Sequence, residues 1–441
     1  MNHRASNIGK IPMIAAALAA LAVTAPAITL DRCVEMALEF SPDLQSAAAR
    51  VQSARAMVQQ AESARYPQLS LSAGYSRTDN PPQAFFMSLN QRQASMMGDF
   101  NNPEDTDNTR LSAGARWLLY DGGRRENGLR AAHRGREAAQ EAWAAARNEL
   151  VFLVTRSYYG RLQAQAYVAV QRQAVASLEE SLRVARERFK AGSAVQTDAL
   201  NLEVELARAQ EDLIRAENGV RLAAVALNTA VGADVVGAEQ LPEPDLEPAG
   251  PPPAQPAAEA VEQRPELKAA RAMTRLREAE YRKARGEYRP AVSAFGSVDW
   301  DSEAFSDFEQ SYMAGVMASV EVFTGWRRGG TLALARAQRE EALANERAAR
   351  QKLQMDLEQA WLQTTEAWER LNVASKSLAS AEEALRITQE QYRQGAADIT
   401  LLLTAQVGLT AMRTRHVASQ YEYRIALSNL ARARGVAAAG R

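Results

Sequence analysis

Two related stretches decide the fold: "RFKAGSAVQTDAL" at residues 188–200 and "QYRQGAADITLLL" at residues 391–403. Each places an aromatic and a basic residue shortly before a glycine, and a run typical of a helix follows. The offset of 203 residues between them also relates Gly192 to Gly395 and Gly232 to Gly435. A chance repeat of helical sequence would not keep glycines in register, so the sequence indicates an internal duplication.

The duplication covers nearly the whole chain. Nearer the start of each copy the offset becomes 223 residues, pairing Pro42 with Pro265 and Pro67 with Pro290. A proline-rich segment between the copies predicts an extended linker. The predicted segments are a signal peptide at 1–27, a first copy at 28–232, a linker at 233–262, a second copy at 263–435 and a tail at 436–441.

The N-terminal segment has the pattern of an export signal. Arg4 and Lys10 precede an apolar run at 11–23, and "APA" at 25–27 provides a small-x-small cleavage pattern. The alternative is a membrane anchor, but this run is shorter than the roughly 20 residues that a membrane helix needs. We therefore expect the chain to be exported.

Each copy is predicted to run helix, strand, strand and helical hairpin. After the first helix, predicted at 42–66, "LSLSAGYS" at 69–76 alternates apolar with small polar residues, and this alternation predicts a strand. A polar loop including "NPPQAFFMSLNQRQ" at 80–93 is expected to follow. The other predicted strands lie at about 111–120, at 291–300 and at 311–323.

Two stretches of 68 residues, 123–190 and 326–393, contain no proline. Helices of that length would extend roughly 100 Å. Apolar residues in these arms and in the shorter return arms step by three and four, which is typical of antiparallel coiled coils. The predicted fold is therefore mainly α with a small β part.

The composition disfavours several kinds of site. A formal net charge of −1 gives no electrostatic reason to expect a nucleic acid as partner. Cys33 is the single cysteine and is expected to be a small core residue. The three histidines are scattered, and His416 falls on a helix seam where packing is expected. Since no nucleophile–base pair or phosphate loop is recognisable, we predict no catalytic residue, cofactor or metal.

Four strands per chain raise the question of how their edges are paired. A sheet with unpaired edges cannot cross a membrane, because hydrocarbon offers no partner for its backbone groups. The smallest single-chain barrels have about eight strands, so membrane-spanning strands would require several chains to share one barrel. The alternative is a soluble β-domain attached to a coiled coil.

These features together resemble the TolC-like outer-membrane efflux family over essentially the whole mature chain. The resemblance rests on the duplicated order of elements and on "ARYPQLSLSAGYS" (64–76) entering the first strand. It also rests on "LLYDGGRRENG" (118–128) and "VFTGWRRGG" (322–330) leaving the second strand of each copy, and on helices ending at Gly232 and Gly435.

The resemblance implies an architecture and a function. A homotrimer would share a 12-stranded transmembrane β-barrel in the outer membrane, the helical hairpins would form a periplasmic α-barrel, and the linker would lie at its equator. The subunit would belong to a tripartite efflux or type I secretion system. Its partners would be outer-membrane lipid, a periplasmic adaptor (membrane fusion) protein and an inner-membrane transporter, with the trimer acting as a passive duct.

In this family the hairpin tips meet the adaptor and close the duct. The tip glycines are in any case expected as left-handed helix caps. Carried over, the first tip, near 190–198, comprises Phe189, Lys190, Gly192, Ser193, Thr197 and Asp198, and the second, near 393–401, comprises Tyr392, Arg393, Gly395, Ala396, Asp398 and Thr400.

The second tip departs from part of the family. Some members carry acidic residues one turn beyond the second glycine, where this chain has Leu401 and Thr404. The departure favours a periplasmic gate made partly by leucines, with Tyr392, Leu401, Leu402 and Thr404 as its candidates. The alternative is that the leucines pack between helices.

Residues near the strand ends are candidates for a membrane boundary. Trp117 and Trp300 are interpreted either as interface aromatics or as ordinary packing. The basic residues where strands become helices are interpreted as interface charges, with a solvated face as the alternative: Arg124, Arg125, Arg327 and Arg328.

A soluble periplasmic coiled-coil adaptor is the leading alternative function, because it would also combine an export signal with helical hairpins. Two complete copies, each with a pair of strands, argue against it. The sequence leaves the exported substrate open among drugs, metal ions, metabolites and polypeptides.

Overall fold

The computed structural model describes residues 28–95, 101–234, 241 and 250–436, so the predicted signal peptide, part of the linker and the end of the tail lie outside the described residues. The first copy comprises α1 (Leu30–Phe40), α2 (Pro42–Ser63), β1 (Gln68–Thr78), α3 (Pro81–Asn90), β2 (Thr106–Tyr120), α4 (Arg124–Lys190) and α5 (Gln196–Val231). After a 3₁₀ turn (Ala258–Gln263), the second comprises α6 (Pro265–Gly286), β3 (Ala291–Ser302), β4 (Glu309–Ser319), α7 (Arg327–Arg393) and α8 (Ile399–Ala433).

The helix ends follow from local residue chemistry. The Ser41 hydroxyl accepts a hydrogen bond from the Leu44 N–H at 3.5 Å, and Pro42 occupies the first helical position of α2. Helix α5 ends at Gly232, whose φ of 80° is left-handed. The long arms α4 and α7 have 67 residues each, and α2 and α6 have 22 each. The two copies therefore repeat their helix lengths as well as their order, and the predicted fold class is confirmed.

Part of the loop predicted at 80–93 is a helix, which corrects the sequence prediction. Asn80 caps α3 by accepting a hydrogen bond from the Gln83 N–H at 3.4 Å. The two prolines that suggested a loop occupy the first turn of α3, where a missing N–H leaves no helical hydrogen bond unmade.

Two strand boundaries also differ from the prediction. Strand β2 begins at Thr106 because β1 continues to Thr78, and these two residues pair. Strand β4 ends at Ser319, which pairs with Ala291, the first residue of β3. The residue before Ala291 is Pro290, which has no N–H to extend the ladder.

The four strands form one antiparallel sheet in the order β1-β2-β3-β4. Directly paired residues share a face, so the register sets the two faces. The apolar face contains Leu69, Leu71, Ala73, Tyr75, Leu111, Ala113, Ala115, Trp117, Ala294, Gly296, Val298, Trp300, Tyr312, Ala314, Val316 and Ala318. The other face is mainly small or polar, although Phe295, Met313 and Met317 belong to it. Leu71 is 87% exposed and Tyr312 is 81% exposed, so the apolar face is uncovered in the isolated chain.

The core consists of clusters between helices. One joins α1, α2, α4 and α5 around Val154, Leu162 and Leu227. Cys33 is fully buried in this cluster, as expected for a small core residue, and burial raises the pKa of its thiol to about 11. A second cluster lies near the hairpin tips, and a third includes Leu267 and residues of α7 and α8.

A buried charge network ties the start of α6 to α7 and α8. Arg264 is 2% exposed and contacts Asp356 at 2.6 Å and Glu266 at 2.7 Å. The other carboxylate oxygen of Asp356 contacts Arg432 at 2.9 Å. Burial raises the pKa of Asp356, but the hydrogen bonds from Arg264 and Arg432 outweigh it, so this pKa is lowered. Asp356 is therefore charged at neutral pH and holds three helices together.

Asp356→Asn should lower the free energy of unfolding at pH 7 by about 2–3 kcal/mol, because it weakens the pairing of a buried guanidinium. A lowered folded-state pKa contributes stability above the unfolded pKa and loses it as pH falls through the folded value. The difference between wild type and variant should therefore shrink below about pH 4. Urea unfolding followed by circular dichroism at pH 7 and at pH 3 measures both effects.

The matched control is Asp212→Asn, which removes an exposed contact to Arg215 at 3.2 Å. It should change the unfolding free energy by less than about 0.5 kcal/mol. An equal loss in both variants would contradict the role assigned to the buried network.

Candidate functional site

Both hairpin tips turn at a glycine with left-handed backbone. The φ angles are 73° at Gly192 and 80° at Gly395. The next N–H reaches back across the turn, from Ser193 to the Arg188 carbonyl at 2.9 Å and from Ala396 to the Gln391 carbonyl at 2.8 Å. This is the hydrogen-bond pattern of a Schellman cap. The two tips thus reverse the chain in the same way.

The residues predicted for docking come together at these two tips. Asp198 is half-buried, and Asp398 caps α8 by accepting a hydrogen bond from the Leu401 N–H at 2.8 Å. The exposed members are Phe189, Lys190, Gly192, Ser193, Thr197, Arg393, Gly395, Ala396, Asp398 and Thr400. Each tip therefore presents a small polar surface that is open to a partner.

Arg188, which the sequence did not single out, joins the two tips. Its guanidinium donates to the Tyr392 carbonyl at 2.5 Å and lies over the Tyr392 ring at 5.0 Å from the centroid. It also donates to the Ser193 carbonyl at 3.3 Å. The equivalent residue of the second copy is Gln391. That asymmetry between the copies is the signal that would have identified it.

The predicted gate residues divide between a buried and an exposed set. Tyr392 and Leu402 are 4% and 2% exposed and belong to the core cluster near the tips. Burial, followed by the Asp198 carboxylate, raises the pKa of Tyr392. Leu401 is 49% exposed, and Thr404, also exposed, lies one turn further along. Leu402 thus packs between helices, and only Leu401 and Thr404 face outward.

The two predicted interface tryptophans lie on the apolar face of the sheet, at opposite ends. Trp117 is three residues from the end of β2 next to the helices, and its indole N–H donates to the Arg65 carbonyl at 2.9 Å. Trp300 lies near the far end of β3 and pairs with Leu111. Six residues of β2 separate the two levels, which is roughly 20 Å.

Further aromatic side chains cluster where strands meet helices. The exposed members of this junction belt are Tyr66, Trp117, Tyr120, Tyr288, Phe323 and Trp326. They come from all four strand–helix connections, so the sequence scatters them over 260 positions. The antiparallel sheet brings all four connections to its one end, which is why the sequence identified a single member.

The junction arginines tie the helix starts to the strand ends. Arg125 donates to the Leu118 carbonyl at 2.6 Å, and Arg328, at the equivalent position of the second copy, donates to the Val322 carbonyl at 3.0 Å. These arginines satisfy carbonyls where strand pairing stops. The arginines predicted as interface charges therefore have a structural task at the helix starts, and their place at a membrane interface stays a prediction.

The described residues contain neither a candidate metal site nor a helix suited to span a membrane. No group of three or more His, Cys, Asp and Glu side chains is placed to hold a metal ion in that part of the chain. His416 is half-buried with its Nδ1 at 3.4 Å from the Ser375 hydroxyl, and burial lowers its pKa. Over the same residues, every helix is too short or too polar to span a bilayer.

Comparison with known proteins gives consistent matches. The sequence profile described as outer membrane efflux protein matches residues 33–233 and 257–436. Outer membrane protein OprJ of Pseudomonas aeruginosa is 27% identical over 426 residues, which is 92% of this chain and 84% of OprJ. Protein CyaE of Bordetella pertussis is 28% identical over 419 residues, 88% of this chain and 80% of CyaE. The crystal structure of the outer membrane protein VceC from Vibrio cholerae shares the fold, with a TM-score of 0.80, 20% identity and coverage of 92% and 96% of the two chains.

Arg188→Gln should loosen the connection between the tips, because it removes a charged hydrogen bond and a cation–π contact. The expected cost is about 1–3 kcal/mol locally. Amide exchange at 391–397 should accelerate roughly tenfold or more, as measured by hydrogen–deuterium exchange with mass spectrometry. Arg183→Gln is the control, since among the described residues Arg183 pairs only with Glu180 and Glu187 on its own helix. Equal acceleration in both variants would argue against a link between tips.

Proposed function

Because this chain belongs to the outer membrane efflux protein family, it is an outer-membrane efflux channel, and we propose that three copies form one passive duct. The helices lie in the periplasm. The duct would receive its cargo from an inner-membrane transporter through a periplasmic adaptor, in a tripartite efflux or type I secretion system. Energy and substrate choice would come mostly from the transporter.

The observation that carries the proposal is the four-stranded sheet with one exposed apolar face and two free edges. Within the described residues, β1 and β4 are the edge strands, so each has one side without a neighbouring strand. Pairing β4 of one copy with β1 of the next satisfies both edges, and a closed ring turns every apolar face toward lipid. Three copies supply twelve strands, within the known range of outer-membrane barrels.

The helical hairpins supply the periplasmic part of the duct. An arm of 67 residues extends roughly 100 Å. Six hairpins from three chains would form the wall of an α-barrel, with the exposed tips at its far end. Lys190 and Arg393 next to Asp198 and Asp398 give each tip mixed charge, which suits docking to the polar tips of an adaptor.

The alternative of a soluble periplasmic adaptor has less support. Such a protein must keep its exposed surface polar, whereas here side chains such as Leu69, at 80%, and Val316, at 69%, are uncovered on one sheet face. A lipid-facing barrel explains this face without a further partner.

Purification and planar-bilayer recording test the proposal. The chain should partition into outer membranes, require detergent for extraction, run as a trimer in light scattering and insert as a conducting unit. Recovery from the soluble periplasm without detergent would favour the adaptor. A detergent-solubilised trimer that never conducts would contradict the duct.

Leu401→Ser should raise the conductance of the closed state, because it replaces the exposed leucine of the proposed gate with a polar residue that water wets readily. Leu402→Ser is the matched control at the neighbouring position. Its buried side chain should cost about 2–5 kcal/mol of stability with less effect on the closed pore. Single-channel recording and thermal unfolding separate the two variants. If Leu401→Ser conducts as wild type does when closed, Leu401 does not gate.

A further inference from the structure

A basic cavity of about 610 Å³ lies between the start of α4 and the end of α6, beside the sheet. Its lining includes four arginines and no carboxylate. The arginines are Arg130, Arg282, Arg285 and Arg289. Such a concentration of guanidinium groups favours an anion, and guanidinium geometry suits phosphate oxygens in particular.

The charges in this cavity are only partly compensated. Arg282 contacts Glu278 at 3.1 Å, and Arg130 lies within electrostatic range of Glu126. Arg285 and Arg289 have no carboxylate within 4.0 Å among the described residues. Two guanidinium groups are therefore available for a ligand.

The cavity wall is built by close backbone contact. A Cβ atom on Gly122, whose φ is 72°, would lie 2.5 Å from the Gly286 carbonyl oxygen and 2.6 Å from Arg289 Cβ. This contact fixes the ends of α4 and α6 against each other. In the same cavity, Asn127 donates its side-chain N–H to the Gly123 carbonyl at 2.8 Å, and its buried Oδ1 has no hydrogen-bond partner among the described residues. A ligand with a hydrogen-bond donor beside its phosphate would satisfy that oxygen.

The position of the cavity at the junction of strands and helices points to lipid as the source of the phosphate. Gly122 follows the last residue of β2 by two positions, and Arg289 precedes the first residue of β3 by two. Tyr288 of the junction belt lines the cavity. Since exposed Tyr and Trp side chains favour the membrane–water interface, this is the depth at which headgroups of the periplasmic leaflet lie.

We propose that the cavity binds the headgroup of a glycerophospholipid from the periplasmic leaflet. Arg285 and Arg289 hold the phosphate, and Asn127 accepts a hydrogen bond from a headgroup hydroxyl or ammonium. The inference rests on the outer-membrane location in the proposed function. A bound lipid there would fix the depth of the strand–helix junction in the membrane.

Native mass spectrometry of the full-length protein in detergent tests the site, with phosphatidylglycerol added stepwise. Arg285→Gln combined with Arg289→Gln should weaken binding roughly hundredfold, since each lost charged hydrogen bond costs about tenfold or more. The control removes the same charge elsewhere: Arg50→Gln combined with Arg221→Gln, two exposed arginines on α2 and α5. Arg285→Lys combined with Arg289→Lys should weaken binding less than the Gln pair, because the charge remains, but should not restore wild-type binding, because lysine lacks the planar guanidinium fork.

Additional measurements distinguish the possible sources of the anion. Phosphatidylethanolamine tests whether a headgroup ammonium serves as well as a hydroxyl, and binding of either lipid supports the site. Displacement of lipid by millimolar inorganic phosphate would overturn the lipid assignment in favour of a free anion. Equal lipid binding by the Gln variant and the control would overturn the site itself.

Conductance and the need for detergent are measured separately on the wild-type protein, so that failure of the lipid site can be told from failure of the duct. Wild-type protein that conducts but retains no phospholipid would refute this site and leave the duct intact. Wild-type protein that is soluble without detergent would refute the duct. If the Gln variant keeps its lipid but conducts anions less well relative to cations than the wild type does, the arginines line the lumen of the channel and the lipid proposal is wrong.

Discussion

The need to pair every backbone group of the sheet is the constraint on which the rest of the structure depends. In the described part of the chain, β1 and β4 are the edge strands of the sheet, and one sheet face is apolar and uncovered. In hydrocarbon, an unpaired N–H or C=O costs several kcal/mol, so such a sheet is stable there only as part of a closed ring. Because each chain has four strands, closing such a ring requires strands from other chains. Assembly of the chains and insertion of the sheet into the membrane are therefore coupled. In the proposed trimer, the helices would inherit the symmetry of that ring.

Duplication gives each chain two hairpins of equal length, but the copies differ where they meet. Arg188 on the first hairpin reaches Tyr392 on the second, and the position equivalent to Arg188 is Gln391, which cannot supply the same charge. Tyr392 is buried in the core cluster near the tips, whereas its counterpart Phe189 is 45% exposed. The link therefore runs in one direction, from the first hairpin to the second. If first and second hairpins alternated around a ring, contacts between neighbouring hairpins would then be of two kinds, first-to-second and second-to-first.

Proline, glycine and apolar periodicity predicted most of the architecture because they act locally. The caps at Ser41 and Gly232 and the alternation at 69–76 each depend on residues within one turn or one strand. What the sequence missed depends on partners far away in the chain. Two prolines suggested a loop where helix α3 begins, although a first helical turn tolerates proline. The burial of Leu402 depends on packing against the other hairpin of the chain. The junction belt became visible only through the antiparallel sheet. Arg188 was overlooked because its partner is 204 positions away.

The junction between sheet and helices shows how the two copies resolve one geometric demand differently. The chain must change from a strand to a helix within a few residues, and both copies use two successive left-handed residues to do so. The first copy uses Gly122 and Gly123, with φ of 72° and 82°, and the second uses Gly325 and Trp326, with φ of 58° and 67°. A left-handed conformation costs a residue with a side chain roughly 1–2 kcal/mol, a penalty that glycine avoids. The second copy accepts that cost, and the indole of Trp326 is 85% exposed, edge-on to Phe323 in the junction belt. The counterpart of Trp326 in the first copy is Gly123, where an added Cβ would meet only the side-chain nitrogen of Asn127 at 3.6 Å, so crowding does not explain that glycine. Crowding does explain Gly122, where an added Cβ would lie 2.5 Å from the Gly286 carbonyl oxygen.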